Sequence, residues 1–431
     1  MNARAGIAAA VVAGLAACGP RPIDPNRQVG PNPYLPPLNQ YLLPPMKLSK
    51  AVGWQPGQKP NVASGLQIQA LASGLRDPRS LYVLPNGDVL VSETGGPNPP
   101  PPRRPKEFVM GWLEKKSHST NEGRDILLLR VTPGGAVQKS VLIDHLNSPF
   151  GVVLVGNDLY VADTDAVLRF PYQTGQTRIT DPGVKLCDLP GGPIDHHWTK
   201  SLTASPDGTK LYASVGSNSN ITENGIEAEK NRAAILEIDR ATGAWRPYAT
   251  GLRNPNGLTF EPQTHMLWAV VNERDELGPD LVPDYLTSVR PGGFYGWPYS
   301  YWGQHVDPRV KPQRPDLVAR AIVPDYSLSS HVAPLGLTFY TGANLPAPYR
   351  GGAFVGEHGS WDRRPLNGYK VVFVPFANGR PNGPPQDVVT GFLDGDQARG
   401  RPVGLAVDAQ GGLLIADDIG NTVWRVTATG A

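Results

Sequence analysis

The stretch "GLRDPRSLYVLPNGDVLVSET", residues 74–94, contains the pattern that decides the fold. A loop reaches Pro78, an apolar strand follows, the residues PNGD at 85–88 form a tight turn, and a second apolar strand ends near Glu93. Turn residues of this kind between two apolar runs are typical of a β-hairpin. The stretch therefore predicts two antiparallel strands that lead away from a proline-marked loop.

The same pattern occurs six times along the chain. The further copies begin at His145, His196, Gly251, His331 and Gly400. Proline marks five of the six copies, at positions 78, 149, 255, 334 and 402, whereas the third copy has Lys200 near that place. Most copies continue into a third apolar strand and many into a fourth. Four short antiparallel strands in a regular repeat are typical of a propeller blade. The chain is thus predicted to be all-β, a six-bladed β-propeller with four-stranded antiparallel blades; a β-sandwich would not need six copies in phase.

The two ends of the repeat region predict how the last blade forms. The final copy stops after its third strand, "TVWRVTA" at 422–428, and an unpaired strand, "LQIQALASGL", occupies 66–75. Pairing these two strands would complete the sixth blade and cover two sheet edges. We expect a propeller domain over residues 63–431, closed by its N- and C-terminal strands.

The N-terminal residues are typical of an exported protein. A short basic start is followed by an apolar run of small residues that is too brief to span a bilayer. This run ends in Leu15-Ala16-Ala17-Cys18, which resembles a bacterial lipobox. We predict a lipoprotein signal at 1–18 with lipidation at Cys18, a proline-rich tether at 19–62, and a periplasmic or outer-envelope location. A plain signal peptide with an incidental cysteine is the alternative.

Charge and cysteine content exclude some classes of function. The chain has 40 basic and 38 acidic residues, a formal net charge of +2, which gives no support for nucleic-acid binding. The second cysteine, Cys187, has no partner once Cys18 is lipidated, and no CxxCH haem motif is present.

Several cations lie close to the loops that enter the predicted blades. They are Lys200, Arg253, Arg274, Arg363, Arg364, Arg399 and Arg401. Any one of them alone would be taken for solvated surface. Four or more at one axial opening would repel each other unless an anion lay between them, and the arginine fork suits planar carboxylates. The pattern predicts a small polyanionic ligand at the axis.

The ordered set of motifs resembles the soluble quinoprotein sugar dehydrogenases, especially their sorbosone dehydrogenase-like branch. The resemblance covers roughly residues 64–428, and Arg253-Asn254 followed by "GGFYGWP" at 292–298 is its most specific part. Other stretches that carry it are "HHWTKSLTASPDGTKLYASVGSN", "VNERDELGPDLVPDYLTSV", "HVAPLGLTFY", "GEHGSWDR" and "ADDIGNTVWRV". The resemblance implies a six-bladed propeller that binds pyrroloquinoline quinone (PQQ) and Ca²⁺.

The resemblance also implies roles for individual residues. The catalytic base would be His197, which stands five residues before Leu202 as the family's histidine does. PQQ would be held by Arg253, Asn254, Arg399, Arg401 and Asp417, with Arg363 in place of a family lysine. Arg274, His331 and His358 are further candidates at the axial opening. Ca²⁺ would be bound by the backbone carbonyls of Asp275 and Glu276.

The sequence departs from the family at two of these places. Better-known members have Gly-Pro where this chain has Asp275-Glu276, so the turn there is expected to differ. The family's carboxylate behind the catalytic histidine is replaced by Ser217 and Asn218, which cannot stabilise an imidazolium as a carboxylate does. Another blade would have to supply that acid.

The side chains of the adjacent residues His196 and His197 are expected to point in different directions. Neighbouring residues on an extended segment point to opposite sides, so we expect His197 to face the axis and His196 to face away.

The implied reaction is oxidation of the C1 hydroxyl of an aldose, or of the aldehyde of a sugar such as sorbosone. His197 would accept a proton, and electrons would pass to a separate acceptor, a quinone or a cytochrome. Two alternatives stay open. One is a calcium-dependent propeller lactonase with Glu93, Asn254, Asn272 or Glu273, and Asp417 as oxygen ligands. The other is a non-catalytic binding propeller.

Overall fold

The second strand of each repeat is buried on both faces, as its apolar sequence predicts. Val89–Thr94 is buried along its whole length. In the hairpin turn that precedes it, the Leu84 N–H donates to the Asp88 carbonyl oxygen at 2.8 Å. Gly87 has a φ of 88°, a backbone conformation that favours glycine in this turn. The computed structural model describes residues 23–39, 46–97 and 123–430. The predicted lipidation site, Cys18, lies outside these residues.

Within the described residues, the chain forms six sheets that each contain four antiparallel strands, and in five of them the strands follow one another in chain order. Sheet 1 consists of Pro78–Val83, Val89–Thr94, Arg124–Val131 and Val137–Ile143. Sheet 2 consists of Val152–Val155, Asp158–Ala162, Ala166–Pro171 and Val184–Asp188. Sheet 3 consists of Leu202–Ala204, Lys210–Val215, Ala234–Asp239 and Trp245–Thr250. Sheet 4 consists of Asn254–Phe260, Leu267–Asn272, Pro283–Ser288 and Tyr326–Ser330. Sheet 5 consists of Pro334–Phe339, Ala353–Glu357, Lys370–Val374 and Gln386–Thr390.

Sheet 6 combines the two ends of the repeat region. Its strands are Pro402–Val407, Leu413–Asp417, Thr422–Ala428 and, from the N-terminal side, Leu66–Ser73. The last two pair antiparallel from Thr422 opposite Ser73 to Ala428 opposite Leu66. The predicted pairing of the terminal strands is confirmed.

Apolar side chains fill the space between consecutive sheets. Separate buried clusters lie between sheets 1 and 2, 2 and 3, 3 and 4, 4 and 5, and 5 and 6. A further cluster, which includes Val91 and Leu414, joins sheet 6 to sheet 1. Each sheet therefore packs against two others, and burial of these two apolar faces is the main source of stability.

The first strand of every sheet lines a common channel with a volume of about 330 Å³. One lining residue from each sheet, in order, is Ser80, Val152, Leu202, Gly257, Leu337 and Leu405. The loops that precede these strands, and the ends of the second strands, consequently converge at one end of the channel. The candidate site residues come from these two kinds of segment.

Short elements decorate the sheets. Two-residue strands are Val29–Gly30, Lys50–Ala51, Asn61–Val62, Gly293–Phe294, Ser300–Tyr301, His305–Val306, Phe376–Ala377, Arg380–Pro381, Leu393–Asp394 and Gln397–Ala398. Helical structure in the described residues is limited to the α-helix Pro315–Val318 and the 3₁₀ turns Pro25–Gln28, Ile226–Glu229 and Ala347–Tyr349. None of these helices has the length and apolarity needed to cross a membrane.

The described part of the proline-rich segment lies on the sheets. Val29–Gly30 adds to sheet 4, and Asn61–Val62 adds to sheet 5. Between them, Lys50–Ala51 pairs in parallel with Gln397–Ala398, and Ser49 is buried. The segment therefore wraps over sheets 4 to 6 and supplies side chains near the candidate site.

Candidate active site

His197 has one ring nitrogen fixed and the other available. Its Nδ1 lies 2.8 Å from the Ser217 carbonyl oxygen and 3.1 Å from the Ser217 hydroxyl oxygen. A carbonyl oxygen can only accept a hydrogen bond, so Nδ1 must carry the proton. The lone pair of the neutral ring is then on Nε2, which is the arrangement a general base requires.

The environment of His197 keeps its ring neutral. Burial lowers the pKa of His197 well below its ordinary value, and the positive charges of neighbouring groups, including Arg253, lower it further. The hydrogen bond to Ser217 acts in the opposite direction but is outweighed. The family's carboxylate behind the histidine is thus replaced by the backbone carbonyl of Ser217, and no acid from another blade is needed to fix the ring.

The expected orientation of His196 is wrong. The rings of His196 and His197 contact each other edge to face, with centroids 4.6 Å apart and planes at 78°. The physical reason is local backbone shape: the chain bends at 196–197 after Asp195, whose φ is +38°, so the alternation of an extended segment does not apply. His196 is exposed, whereas His197 is half-buried.

Gly216 brings His197 and Asn254 close together. A Cβ atom at Gly216 would lie 2.4 Å from both the His197 Cβ and the Asn254 Oδ1, so a larger side chain cannot fit between them. The buried Asn254 Oδ1 has no hydrogen-bond partner among the described residues. The amide is therefore available to a ligand placed beside His197.

A buried ionic group supports the backbone on both sides of His197. Arg232 donates to the carbonyls of Gly216 at 2.9 Å and His197 at 3.1 Å, and to Asp195 at 2.8 Å. Lys200 also pairs with Asp195, at 3.4 Å, and its side chain is fully buried. Lys200, a predicted axial cation, is therefore neutralised behind the histidine.

Arg253 uses its donors within the protein. It donates to the carbonyl oxygen of Glu273 at 2.6 Å, to the Asn220 Oδ1 at 3.1 Å and to the Asp275 Oδ2 at 3.1 Å. The guanidinium is 3% exposed. Its role here is to neutralise Asp275 and to keep positive charge near His197.

The predicted metal position lies next to a histidine and a second carboxylate. Asp275, His331 and Asp362 each place a ligating atom within 4.8 Å of the other two. Burial alone would lower the pKa of His331, but the carboxylates of Asp275 and Asp362 raise it to about 9. The Glu276 carboxylate forms an ion pair with Arg309 at 3.1 Å. The Asp275 carbonyl oxygen accepts a hydrogen bond from the Asn220 side-chain amide at 3.1 Å.

His358 belongs to a different network. Its Nε2 donates to the Asp418 Oδ2 at 2.7 Å, and Arg79 donates to the same oxygen at 2.7 Å. Burial lowers the pKa of His358 to about 4 despite Asp418, so the ring is neutral. Arg79 also lies 5.7 Å from the centre of the Trp198 ring, which places this aromatic residue at the same opening.

The two predicted PQQ-binding residues Arg401 and Asp417 differ in how far the protein itself satisfies them. Asp417 is fully buried and accepts four hydrogen bonds, from the backbone N–H groups of Arg401 and Gly420 and from the indoles of Trp54 and Trp424. It is therefore saturated by the protein and fastens the N-terminal segment through Trp54. Arg401 donates to Ser49 at 2.7 Å and Tyr369 at 3.3 Å, and its buried Nε has no partner among the described residues.

The remaining predicted cations are paired away from the cluster. Arg274 pairs with Asp307 at 2.9 Å, Arg363 with Asp280 at 3.2 Å, and Arg399 with Asp394 at 2.6 Å. The Arg399 pair lies on a surface hairpin with both side chains partly exposed. An uncompensated group of four or more cations is therefore not what the described residues form, because buried cations are stabilised by nearby carboxylates. Arg401 is the exception among the predicted cofactor-binding arginines.

Two of the ligands predicted for a calcium-dependent hydrolase, Glu93 and Asp417, are also engaged within the protein. Glu93 accepts from the Arg76 backbone N–H at 2.6 Å and from its guanidinium at 3.2 Å, while Asp417 is saturated. The aromatic residues Trp297, Tyr301 and Trp302 are buried. Trp198 is half-buried at the opening.

Sequence reasoning missed Arg79, Asn220, Asp362 and Asp418. Asp418 could have been found from strand alternation, since it follows Asp417 and therefore faces the other way. Asp362 and Asn220 lie in irregular loops, where spacing carries no such signal.

Two family models match parts of the chain. The Glucose / Sorbosone dehydrogenase family model matches residues 157–360, which include His197, Arg253, Asn254, Asp275, His331 and His358. This segment is similar to the glucose/sorbosone dehydrogenase family. A TrAA12-like model matches residues 315–429, which include Asp362, Arg401 and Asp418. The predicted family resemblance is confirmed.

Two curated relatives match a large part of the chain. An uncharacterised protein of Borreliella burgdorferi is 28% identical over 292 residues, 65% of this chain and 76% of its own length. A PQQ-dependent pyranose dehydrogenase of Coprinopsis cinerea is 24% identical over 443 residues, 86% of this chain, and the chain spans only about half (55%) of that enzyme's length.

A solved structure shares the fold. The holo form of the pyranose dehydrogenase PQQ domain from Coprinopsis cinerea has a TM-score of 0.70 and 21% identity, and the match covers 88% of this chain and 100% of that domain. At this level of identity the likeness concerns the β-propeller fold alone.

Proposed function

We propose that the protein is a PQQ-dependent sugar dehydrogenase whose general base is His197. The observation that carries this proposal is the fixed tautomer of His197, with Nδ1–H donated to the Ser217 carbonyl and Nε2 unprotonated. The family assignment supports a sugar dehydrogenase, and the PQQ enzymes among the relatives support the cofactor. We further propose that the six sheets are the blades of one closed propeller.

The residues of the opening suit a polar ligand of this kind. The orphaned Asn254 Oδ1 and Arg401 Nε are buried groups without partners among the described residues, and each would gain a hydrogen bond from a bound ligand. Gly216 allows His197 and Asn254 to lie side by side, because a Cβ atom there would clash with both. A PQQ carboxylate would therefore accept from Arg401, and the Asn254 Oδ1 would accept from an N–H or O–H group of the cofactor or sugar, with Arg253 acting through its charge rather than through a free donor.

The protein side of the reaction follows from the geometry of His197. A sugar hydroxyl placed at Nε2 would transfer its proton to that nitrogen as the C–H bond of the same carbon breaks. Bound PQQ would supply the acceptor for the two electrons of that bond. Ser217 and Arg232 keep the ring and its backbone in place while His197 becomes cationic. General-base catalysis of this type is typically worth about 10²–10⁴ in rate.

The position predicted for Ca²⁺ does not suit that ion. The Asp275 carbonyl already accepts a hydrogen bond from Asn220, and the nearest ligating side chains include the His331 imidazole. Ca²⁺ takes oxygen ligands, so a histidine nitrogen in the set is a poor match. We therefore assign no step of the reaction to calcium.

Export and lipid anchoring at Cys18 are also part of the proposal. They are supported by the lipobox-like sequence at 15–18 alone. The electron acceptor would then be a separate quinone or cytochrome of the cell envelope.

The test is reconstitution of the full chain with PQQ. We expect protein dialysed free of cofactor to change the absorption spectrum of added PQQ and to reduce an artificial dye with at least one aldose or aldehyde sugar. Heat-denatured protein serves as the control for free PQQ. Absence of any spectral change, together with no dye reduction across a panel of aldoses, would contradict the proposed function.

A further inference from the structure

Asp275, His331 and Asp362 come from three loops that meet beside sheets 4 and 5. One ligating atom from each lies within 4.8 Å of the other two. Ligands of a single divalent ion lie at most about 4.2 Å apart, twice a metal–ligand distance of about 2.1 Å. Movements of less than about 1 Å would bring all three atoms to such an ion.

Each of the three side chains is held by its other polar atom. The His331 Nε2 donates to the Gly278 carbonyl at 3.1 Å, so Nδ1 faces the two carboxylates. The Asp275 Oδ2 accepts from Arg253 at 3.1 Å, and the Asp362 Oδ2 accepts from the Glu276 backbone N–H at 2.8 Å. Metal-binding histidines and carboxylates are commonly oriented in this way by hydrogen bonds from their second polar atom.

Of the atoms that face one another, one has no hydrogen-bond partner and the other two form only a long contact. The Asp362 Oδ1 is buried, its residue is 1% exposed, and it has no hydrogen-bond partner among the described residues. The His331 Nδ1 is 3.5 Å from the Asp275 Oδ1, which is longer than a hydrogen bond. A buried carboxylate oxygen without a donor is costly, and a cation between the three atoms removes that cost.

We infer that Asp275, His331 and Asp362 bind a divalent first-row transition metal ion. Imidazole nitrogen suits Zn²⁺, Fe²⁺ and Ni²⁺, and carboxylates suit Mn²⁺, whereas Ca²⁺ is bound by oxygen. The carboxylates of Asp275 and Asp362 would offset the charge of the ion, beside Arg253, which is paired with Asp275. The metal is thus held by side chains, not by the carbonyls of Asp275 and Glu276.

The inference does not depend on which cofactor the protein uses. Metal binding is measured in protein that contains neither quinone nor sugar. Failure of PQQ reconstitution would leave the metal result untouched, and failure of metal binding would leave the proposed dehydrogenase activity untouched.

The experiment is equilibrium dialysis of the chelator-treated full chain against Mn²⁺, Co²⁺, Zn²⁺ or Ca²⁺ separately, with bound metal counted by mass spectrometry. We expect one Co²⁺, Mn²⁺ or Zn²⁺ per chain and weaker binding of Ca²⁺. His331→Gln and Asp362→Asn should each weaken transition-metal binding by at least about 10-fold. Asp144→Asn is the matched control, because Asp144 also pairs with a histidine, His145, but at the surface; it should bind metal as the unaltered protein does.

Spectroscopy of the unaltered protein keeps the test independent of how the variants fold. Pulsed electron paramagnetic resonance of bound Mn²⁺ should detect one directly coordinated nitrogen. The inference is overturned if no transition ion binds, if Ca²⁺ binds more tightly than all three, or if bound Mn²⁺ has no nitrogen ligand.

Discussion

The opening of the channel has a histidine on either side, and the two are supported differently. The His197 Nδ1 donates to a backbone carbonyl, that of Ser217, whereas the His358 Nε2 donates to the Asp418 carboxylate, which Arg79 also contacts. A carbonyl fixes the tautomer without adding a full negative charge. His197 is therefore a neutral ring with an unprotonated Nε2 next to a neutral carbonyl, whereas His358 is a neutral ring whose Nε2–H donates to a carboxylate that is ion-paired with Arg79. Position near the axis alone does not make a histidine a base.

The largest expected effect is that of His197→Asn. Asparagine can still donate to the Ser217 carbonyl but offers no basic nitrogen, so dye reduction by the PQQ-loaded protein should fall about 10²–10⁴-fold with PQQ affinity retained. Steady-state kinetics with a saturating aldose would measure this. His196→Asn is the control and should stay within a few-fold of the unaltered protein. Equal losses in the two variants would show that the assignment of the base is wrong.

The second-largest expected effect is a loss of PQQ affinity when Arg401 is replaced. Arg401→Met should weaken PQQ binding about 10- to 100-fold, because a hydrogen bond to a charged group contributes about 1.5–3 kcal/mol. Absorbance titration with PQQ gives the Kd. Arg399→Met removes the same charge from the surface pair with Asp394 and should leave the Kd unchanged. If Arg399→Met weakens binding as much as Arg401→Met, the effect comes from net charge and not from the site.

Substitutions of the neighbouring residues Asp417 and Asp418 should have different effects, one on stability and the other on activity. Asp418→Asn removes the negative charge that His358 and Arg79 share, and we expect kcat/KM to fall about 10-fold with little change in thermal midpoint. In Asp417→Asn, an NH₂ donor replaces one of the two carboxylate oxygens. Each of these oxygens accepts two hydrogen bonds, either from two indoles or from two backbone N–H groups, so the free energy of unfolding of the variant should fall by about 1–3 kcal/mol. Activity per folded molecule should survive in Asp417→Asn. The reverse pattern would mean that Asp417, not Asp418, faces the ligand.

The smallest expected effect is that of pH. A base acts only when neutral, and burial together with nearby positive charge lowers the pKa of His197 well below 6.5. As the pH falls from 8 to 6.5, His197 stays deprotonated, so kcat/KM should change by less than about two-fold, with the acidic limb at lower pH. An acidic limb centred at pH 6.5 in buffers of constant ionic strength would show an unperturbed histidine and contradict the described environment.

Much of the fold could be predicted from sequence because it depends on local repetition. The strand–turn–strand pattern that begins at 74–94 recurs in phase, and the missing fourth strand after 422–428 had one unpaired candidate, 66–75. Both inferences required only strand patterning and the tendency of sheet edges to be covered.

The site could be predicted only where its geometry follows the chain. The resemblance implies His197 through its spacing to Leu202, and its role as the base stays a prediction. The bend at 196–197 brings His196 into contact with it, which alternation could not foresee. Arg363 and Arg399 were assigned to the opening, yet each is neutralised by a carboxylate that sequence spacing does not reveal. The fully buried Asp417 is bound by Trp54, 363 residues away, so no local pattern could show that it was already saturated.

The most direct test of the central claim is an anaerobic single turnover with PQQ-loaded protein. We predict that one equivalent of a substrate aldose reduces bound PQQ rapidly in the unaltered protein, and at least about 100-fold more slowly in His197→Asn at equal PQQ occupancy. Reduction of PQQ at the same rate in both proteins would contradict the role of His197 as the base that begins the oxidation.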